Sequence, residues 1–325
     1  MAIIANTYLT YDAKGLRENL SDAIYRISPE ETPFQSSIGK ESVDAVYNEW
    51  QTDSLAAAGA NAVVEGDEAA FVAATPTVRL GNYCQISRKT VLVSGTLERV
   101  SKAGRKSELA LQLAKKAAEL NRDMEFIATQ NQAANAGAAG TARLTAGLES
   151  FLRTNVSRGG GAPVGANPTL SGGTSGFPNA GPTDAGTPRA FTETLLKTVA
   201  QACYESGGKP TVLMVGTGNK VVASTFVGLA NNRWNVGGGA KPITAVASVE
   251  VYVGDFSTLT IVPNLFQRNK SAFLLDPTQA SIAFLRPFFT KDLATTGDAT
   301  KKALIVEWML KVNTEAAHGI VADLT

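Results

Sequence analysis

The sequence predicts an α+β fold, on three observations. Apolar residues recur at every second position from Val78 to Ile86. They recur at helical spacing from about Lys106 to Gln132. After Phe191 short apolar runs of both kinds alternate with turn residues.

Composition narrows the function classes before any motif is read. The chain has 325 residues, 44% of them hydrophobic and 18% charged, enough for a sizeable core. Thirty basic residues against 29 acidic ones leave a formal net charge of +1, so a strong electrostatic grip on nucleic acid is not expected. The amino terminus lacks the basic and apolar regions of a signal peptide, and no window has the apolar length of a membrane span. Cys84 and Cys203 suit buried thiols in a reducing compartment, and folding in a cytoplasm is expected.

The first forty-odd residues read as an arm that needs a neighbour. Ser21–Tyr25 is a short helix candidate broken at Ser28-Pro29, and Thr32-Pro33-Phe34 is expected to be extended. Residues 48–94 read as a long two-stranded excursion. Val78, Leu80, Cys84 and Ile86 form its inward face, with Arg79, Gln85 and Ser87 opposite. Its presumed partner strand starts near Trp50, and Glu65-Gly66-Asp67-Glu68 is an acidic tip. Such a hairpin is marginal alone in water.

The helix at about 106–132 is the clearest element. Leu113, Ala117, Leu120, Met124 and Ile127 make one stripe, while Lys115, Lys116, Glu119, Arg122, Asp123 and Glu125 carry the charge. Its expected length is roughly 40 Å. From Ala133 to Arg189 Gly, Pro, Ala, Ser and Asn dominate, with Leu144, Leu148, Phe151 and Leu152 as a small apolar island. If residues 157–188 are ordered, the contacts are expected from the surface of an assembly or a neighbouring subunit.

Beyond Phe191, Thr192 can cap a helix bearing Leu195, Leu196, Val199, Ala202 and Cys203, closed by Gly207-Gly208. A strand follows at Thr211–Val215 and a helix at Lys220–Leu229. Val249–Val253 and Leu259–Val262 read as a hairpin around Gly254-Asp255. Further strands are expected at Ala272–Leu275, Ser281–Phe284 and Leu304–Val312.

No motif carries chemistry. Gly216-Thr217-Gly218 sits where a dinucleotide fingerprint would, but Val221 replaces its third glycine, which leaves a tight turn into a helix. Gly237-Gly238-Gly239-Ala240-Lys241 is followed by Pro242 where a phosphate loop needs Ser or Thr. The one histidine, His318, lies outside any zinc or nucleophile pattern and reads as a surface or strand-end residue. Glu65, Asp67 and Glu68 lack calcium-loop spacing and read as a solvated tip or one meeting a neighbour's basic residues. Asn231-Asn232-Arg233-Trp234-Asn235 fits base stacking only weakly and a subunit contact equally well. No catalytic residue, metal ligand or cofactor is expected.

An unsupported arm, a long hairpin, a beam-like helix, a loop-rich stretch and an α+β lobe make sense in a lattice, where each excursion lies on the next subunit. This order resembles that of Hong Kong 97-type major capsid proteins. Local sequence resembles one branch of tailed-phage head proteins: Ser28-Pro29-Glu30-Glu31-Thr32-Pro33-Phe34, Gly39, Glu49-Trp50, Gly147-Leu148-Glu149 and Thr154-Asn155. Leu275-Asp276-Pro277, Leu285-Arg286-Pro287-Phe288, Gly297-Asp298 and Glu307-Trp308 complete it.

The resemblance implies an arm at 1–47, an extended loop at 48–94, and a peripheral domain with a spine helix at 95–156. A Gly/Pro-rich insertion follows at 157–190, then an axial domain at 191–270 and returning peripheral strands at 271–325. It implies hexamers and pentamers of an icosahedral or elongated shell around double-stranded DNA held without sequence specificity. A portal protein at one vertex, a separate scaffolding or decoration protein, and a place in the virion without a membrane also follow. No lysine lies between Lys40 and Lys89, so a loop-lysine cross-link like the founding type's is in doubt, and the arm is too short to hold a helical scaffold. Candidate inter-subunit contacts are Phe34, Trp50, Glu65, Asp67, Glu68, Arg79, Trp234 and Asp298. Two rivals stand beside this reading. An encapsulin-type compartment would show a cargo-peptide pocket. An enzyme would show a deep polar pocket with perturbed carboxylates.

Overall fold

A computed structural model describes residues 28–69, 71, 73–226 and 251–325. Helix α1 (Pro33–Ser37) and strand β1 (Gly39–Ser42) come first. Thr32-Pro33-Phe34 is thus the start of a helix rather than extended chain, because Pro33 in a first turn loses no hydrogen bond. Strand β1 pairs in parallel with the strand Ala280–Asp292, so this part of the arm folds on its own chain. Ser21–Tyr25 lies outside the described residues.

Strands β2 (Tyr47–Thr52) and β3 (Val78–Tyr83) pair antiparallel, from Tyr47 opposite Tyr83 to Thr52 opposite Val78. The two-stranded part of the excursion ends there, and its described residues from 53 to 77 form no strand. Strand β4 (Gln85–Ser94) belongs elsewhere. The strand is interrupted at Cys84, whose N–H donates to the Val46 carbonyl at 2.8 Å, and the alternation changes phase. Gln85 and Ser87 are buried and Ile86 is exposed, the reverse of the single-strand expectation. Their polar atoms are used inside: Gln85 accepts the Thr145 N–H at 3.2 Å, and Ser87 accepts the Trp308 indole N–H at 3.1 Å.

A short helix, α2 (Gly95–Arg99), leads to the long helix α3 (Glu108–Thr129). Its 22 residues make about 33 Å, shorter than expected. Ser107 caps it by accepting the Ala110 N–H at 3.1 Å, and the Glu98 carboxylate accepts the N–H groups of Glu108 and Leu109. Leu120 and Met124 are fully buried, as their stripe predicts. Glu125 belongs to the buried face too, against the expectation that it carries surface charge.

The Gly/Pro-rich stretch contributes β5 (Val156–Ser157), β6 (Thr169–Leu170) and β7 (Pro178–Ala180). Its expected apolar island is real: Leu148, Phe151 and Leu152 are buried. Contacts within its own chain hold both ends of it. Asp323 accepts the N–H groups of Gly159 and Ala185, both at 2.8 Å. Arg189 donates to the carbonyls of Ser157 at 2.6 Å and Ala322 at 3.2 Å. A segment with few apolar side chains is held by its backbone groups instead.

Helix α4 (Glu193–Glu205), strand β8 (Val212–Val215) and helix α5 (Thr217–Ala223) follow. The last begins three residues earlier than expected, straight after Gly216. Strands β9 (Val251–Val253) and β10 (Thr258–Pro263) form the expected hairpin. Strands β11 (Ser271–Leu275), β12 (Ala280–Asp292), β13 (Ala299–Val312) and β14 (Gly319–Ala322) complete the chain. The middle two are far longer than expected. Their pairing continues through register shifts around Arg286, where Pro287 interrupts the strand pattern.

Two mixed sheets result, in the orders β1-β12-β13-β4 and β5-β14-β11-β8-β10-β9. In the six-stranded sheet β8 and β11 are covered on both faces, which explains why both read as unbroken apolar runs. Leu213, Val215, Ala272 and Leu274 face a core with Leu196, Val199 and Leu259. Met214 and Phe273 face the other core, with Leu120, Met124, Phe151, Trp308 and Phe34.

Candidate assembly surfaces

Among the described residues, those of the excursion from 53 to 77 are exposed throughout. Leu55 and Phe71 have 99% and 98% of their surface accessible, and Val63 and Val64 79% each. The same stretch carries Asp53, Glu65, Asp67 and Glu68 and no Lys or Arg. Burying one such apolar side chain is worth about 1.5–3 kcal/mol. An acidic, apolar strip whose described residues hold one turn and no strand gains most from docking on something else.

The root of this strip is paired and packed. Trp50 packs on Phe151 with ring centroids 6.1 Å apart, and its indole N–H is buried with no acceptor. Arg79 and Glu49 form an ion pair across β2 and β3. Tyr47 lies 4.6 Å from Tyr83 and donates to Glu49 at 3.3 Å; burial and then the Glu49 charge push its phenol up to about 12.

A second uncovered surface is the outer face of β4, with Ile86 half exposed and Leu92 64% exposed beside Arg88. Across the sheet Arg286 makes a two-pronged pair with the buried Glu307, at 2.8 and 2.9 Å. Alternation alone located this strand but assigned its faces the wrong way round. The break at Cys84 carries no sequence signal.

Of the predicted contacts, Glu65, Asp67, Glu68 and Arg79 are exposed, and Trp50 is half-buried at the root. Asp298 is exposed at the loop between β12 and β13, where its carbonyl accepts the Gly95 N–H at 3.1 Å. Phe34 is corrected: it is sealed in the main core and has no surface to offer a neighbour. Trp234 lies outside the described residues. Leu55, Val63, Val64 and Phe71 are exposed too, and apolar residues in a stretch with no strand pattern are the sequence signal for that.

The perturbed carboxylate that an enzyme would need does exist, in Glu149. Burial pushes it up to about 7 despite the Arg268 guanidinium 3.2 Å away. Arg268 also grips Asp184 with contacts of 2.6 and 2.5 Å, and Lys270 reaches Asp184 at 3.0 Å. This cluster ties the insertion to the β10–β11 connection. It is a clasp rather than a cleft, and Glu149 does not line the groove of about 640 Å³ beside Pro29 and Leu265. His318 is buried rather than at the surface, though it does precede β14. Its Nδ1 accepts the Asp276 N–H at 3.2 Å, and burial lowers its pKa. Among the described residues no group of three or more His, Cys, Asp or Glu side chains could hold a metal ion. No helix among them is long and apolar enough to cross a membrane.

An arm strand, an exposed excursion, a long helix against a four-stranded sheet and a second, six-stranded sheet together have known counterparts. The fold is that of Hong Kong 97-type phage capsid proteins. The chain is similar to the cyanophage A-1(L) capsid at TM-score 0.67 and 14% identity, covering 97% of this chain and 98% of that one. It is similar to the capsid of a native GTA particle at TM-score 0.63 and 12% identity, with 97% and 98% covered. The phage G structure of major capsid and decoration proteins matches at TM-score 0.56 and 10% identity over 100% of both chains.

The chain belongs to the SU10 major capsid protein family, whose model matches residues 3–325. A curated relative, the major capsid protein of Escherichia phage Phieco32, is 42% identical over 127 residues. That stretch is 39% of this chain and spans 36% of the relative.

Proposed function

We propose that the chain is a structural subunit of a tailed-phage head, with no catalytic role. It self-assembles into hexamers and pentamers of an icosahedral or elongated shell around packaged double-stranded DNA, and so forms part of the virion. The family match over almost the whole chain supports this, together with one structural observation. The excursion at 53–77 exposes Leu55, Val63, Val64 and Phe71. In the shell it lies on the next subunit, with Trp50, Arg79, Glu65, Asp67, Glu68 and Asp298 at or near contacts. Residues 95–156 act as the peripheral domain with α3 as its spine, and 191–270 as the axial domain. A portal protein at one vertex and a separate scaffolding or decoration protein are the further partners. With a net charge of +1, the chain holds DNA by enclosure rather than by a basic surface.

Negative-stain microscopy of the purified protein tests this. Shells or ring-shaped capsomers are expected. Monomers dispersed at every concentration, with or without the other head proteins, would overturn it.

A further inference from the structure

The excursion's root is too small to hold a direction by itself. The β2–β3 ribbon has six residue pairs, and a two-stranded ribbon alone is marginal in water. Strand β3 has a second edge, and the insertion occupies it. The Gly81 N–H donates to the Gly176 carbonyl at 3.0 Å, and the Gly176 N–H donates to the Arg79 carbonyl at 2.7 Å. This bridge is parallel and centred on Leu80. The ribbon therefore has a third strand of one residue, supplied from almost a hundred residues away.

Side chains reinforce the bridge. The Phe177 ring stands edge-on to Tyr83 at 5.0 Å and to Tyr47 at 6.1 Å, closing a three-ring cluster over the start of the ribbon. Gly176 has φ +90°, which a residue with a side chain rarely adopts, so the tip can present both its N–H and its carbonyl to β3. The tip is itself braced. The Ser171 N–H donates to the Phe177 carbonyl at 2.9 Å, Arg153 donates to the Gly173 carbonyl at 3.2 Å, and the Ala134 N–H donates to the Pro178 carbonyl at 2.8 Å. Through Ala134 and Arg153 the brace reaches the chain that follows α3 and its apolar island.

We propose that the insertion's tip, Ser171–Phe177, is a positioning element that fixes the direction in which the excursion leaves the subunit. A Gly/Pro-rich composition serves this role. It supplies turns and backbone hydrogen-bonding groups without adding a core of its own. The consequence for assembly rests on the functional reading above, but the positioning itself does not.

The test is amide hydrogen exchange on the unassembled full chain. Gly176→Pro deletes the N–H given to Arg79 and cannot reach φ +90°. Exchange in 78–83 is expected to quicken about tenfold or more, because two hydrogen bonds and their cover are lost locally. The rest of the chain keeps its rates and the melting temperature stays within a few degrees. Phe177→Ala keeps the main-chain bridge and removes the rings, and should give the same local pattern more weakly. It answers the question if the proline variant does not fold. Unchanged exchange in 78–83, or an equal rise across the whole chain, would overturn the proposal. If exchange responds as expected while even the wild-type protein never assembles, positioning stands and the shell function falls.

Discussion

The carboxylate of Glu125, in the second half of α3, accepts the backbone N–H of Phe34 at 2.7 Å, across 91 residues of sequence. It also accepts the Gln35 N–H at 3.0 Å and the Asn264 side-chain amide at 2.7 Å. The first N–H groups of any helix have no acceptor within it, and here a side chain from another helix caps α1. One acid thereby joins the arm, the long helix and the strand β10 exit.

Glu125→Ala leaves those donors buried without an acceptor. The expected cost is about 3 kcal/mol, since each unsatisfied group costs about 1–3 kcal/mol and relaxation recovers part. Denaturant unfolding of the unassembled subunit measures it. A loss below about 0.5 kcal/mol would show that the arm is not held this way.

Leu120→Asp puts a charge at a fully buried position of α3 that faces the main core. A cost of about 4 kcal/mol is expected, enough to give insoluble subunits rather than malformed shells. The soluble fraction on expression is the measurement.

Phe71→Ser combined with Leu55→Ser should separate folding from assembly. Both side chains are almost wholly exposed in the single chain, so subunit stability should move by less than about 0.5 kcal/mol. Particle yield should fall sharply, because the lost apolar area is buried only between copies. Equal yields would mean that the excursion contributes no contact.

Glu149 gives a pH dependence whose sign is fixed. Its folded pKa of about 7 lies above the ordinary value of 4.5, so the folded state binds the proton more tightly. Stability from this group is therefore highest below pH 4.5 and is lost as pH rises towards 7, by up to about 3 kcal/mol. Glu149→Gln should remove that slope. His318, with a lowered pKa, acts in the opposite sense: its contribution is present above about 6.5 and is lost as pH falls below it. Comparing wild type with Glu149→Gln at pH 5 and pH 8 cancels the histidine and isolates the carboxylate.

The α3 stripe was legible because its faces differ in polarity at a fixed period, and β8 and β11 because cover on both faces leaves short unbroken apolar runs. Glu125, Gln85 and Ser87 were not. Each is a polar residue buried with a specific partner far away in sequence, and periodicity reads such a residue as surface. Strand β14 went unread for a related reason. Gly319, Ile320, Val321 and Ala322 form a run too short to tell from a tail, and pairing with β11 and β5 makes it a strand. The insertion's hold on its own chain was not legible because side-chain composition does not show backbone hydrogen bonds. Asp323, two residues from the end, supplies the acceptors that order it. The excursion's acidic tip was visible in sequence. Its apolar residues gained meaning only once Leu55, Val63, Val64 and Phe71 proved exposed.

The most direct test is a cryo-electron microscopy map of the assembled protein, read at residues 53–77. The prediction is that Leu55, Val63, Val64 and Phe71 lie against another copy, with total buried interface per subunit above roughly 2,000 Å², where obligate interfaces begin. A map in which the excursion folds back on its own subunit, with only small contacts between copies, would contradict it.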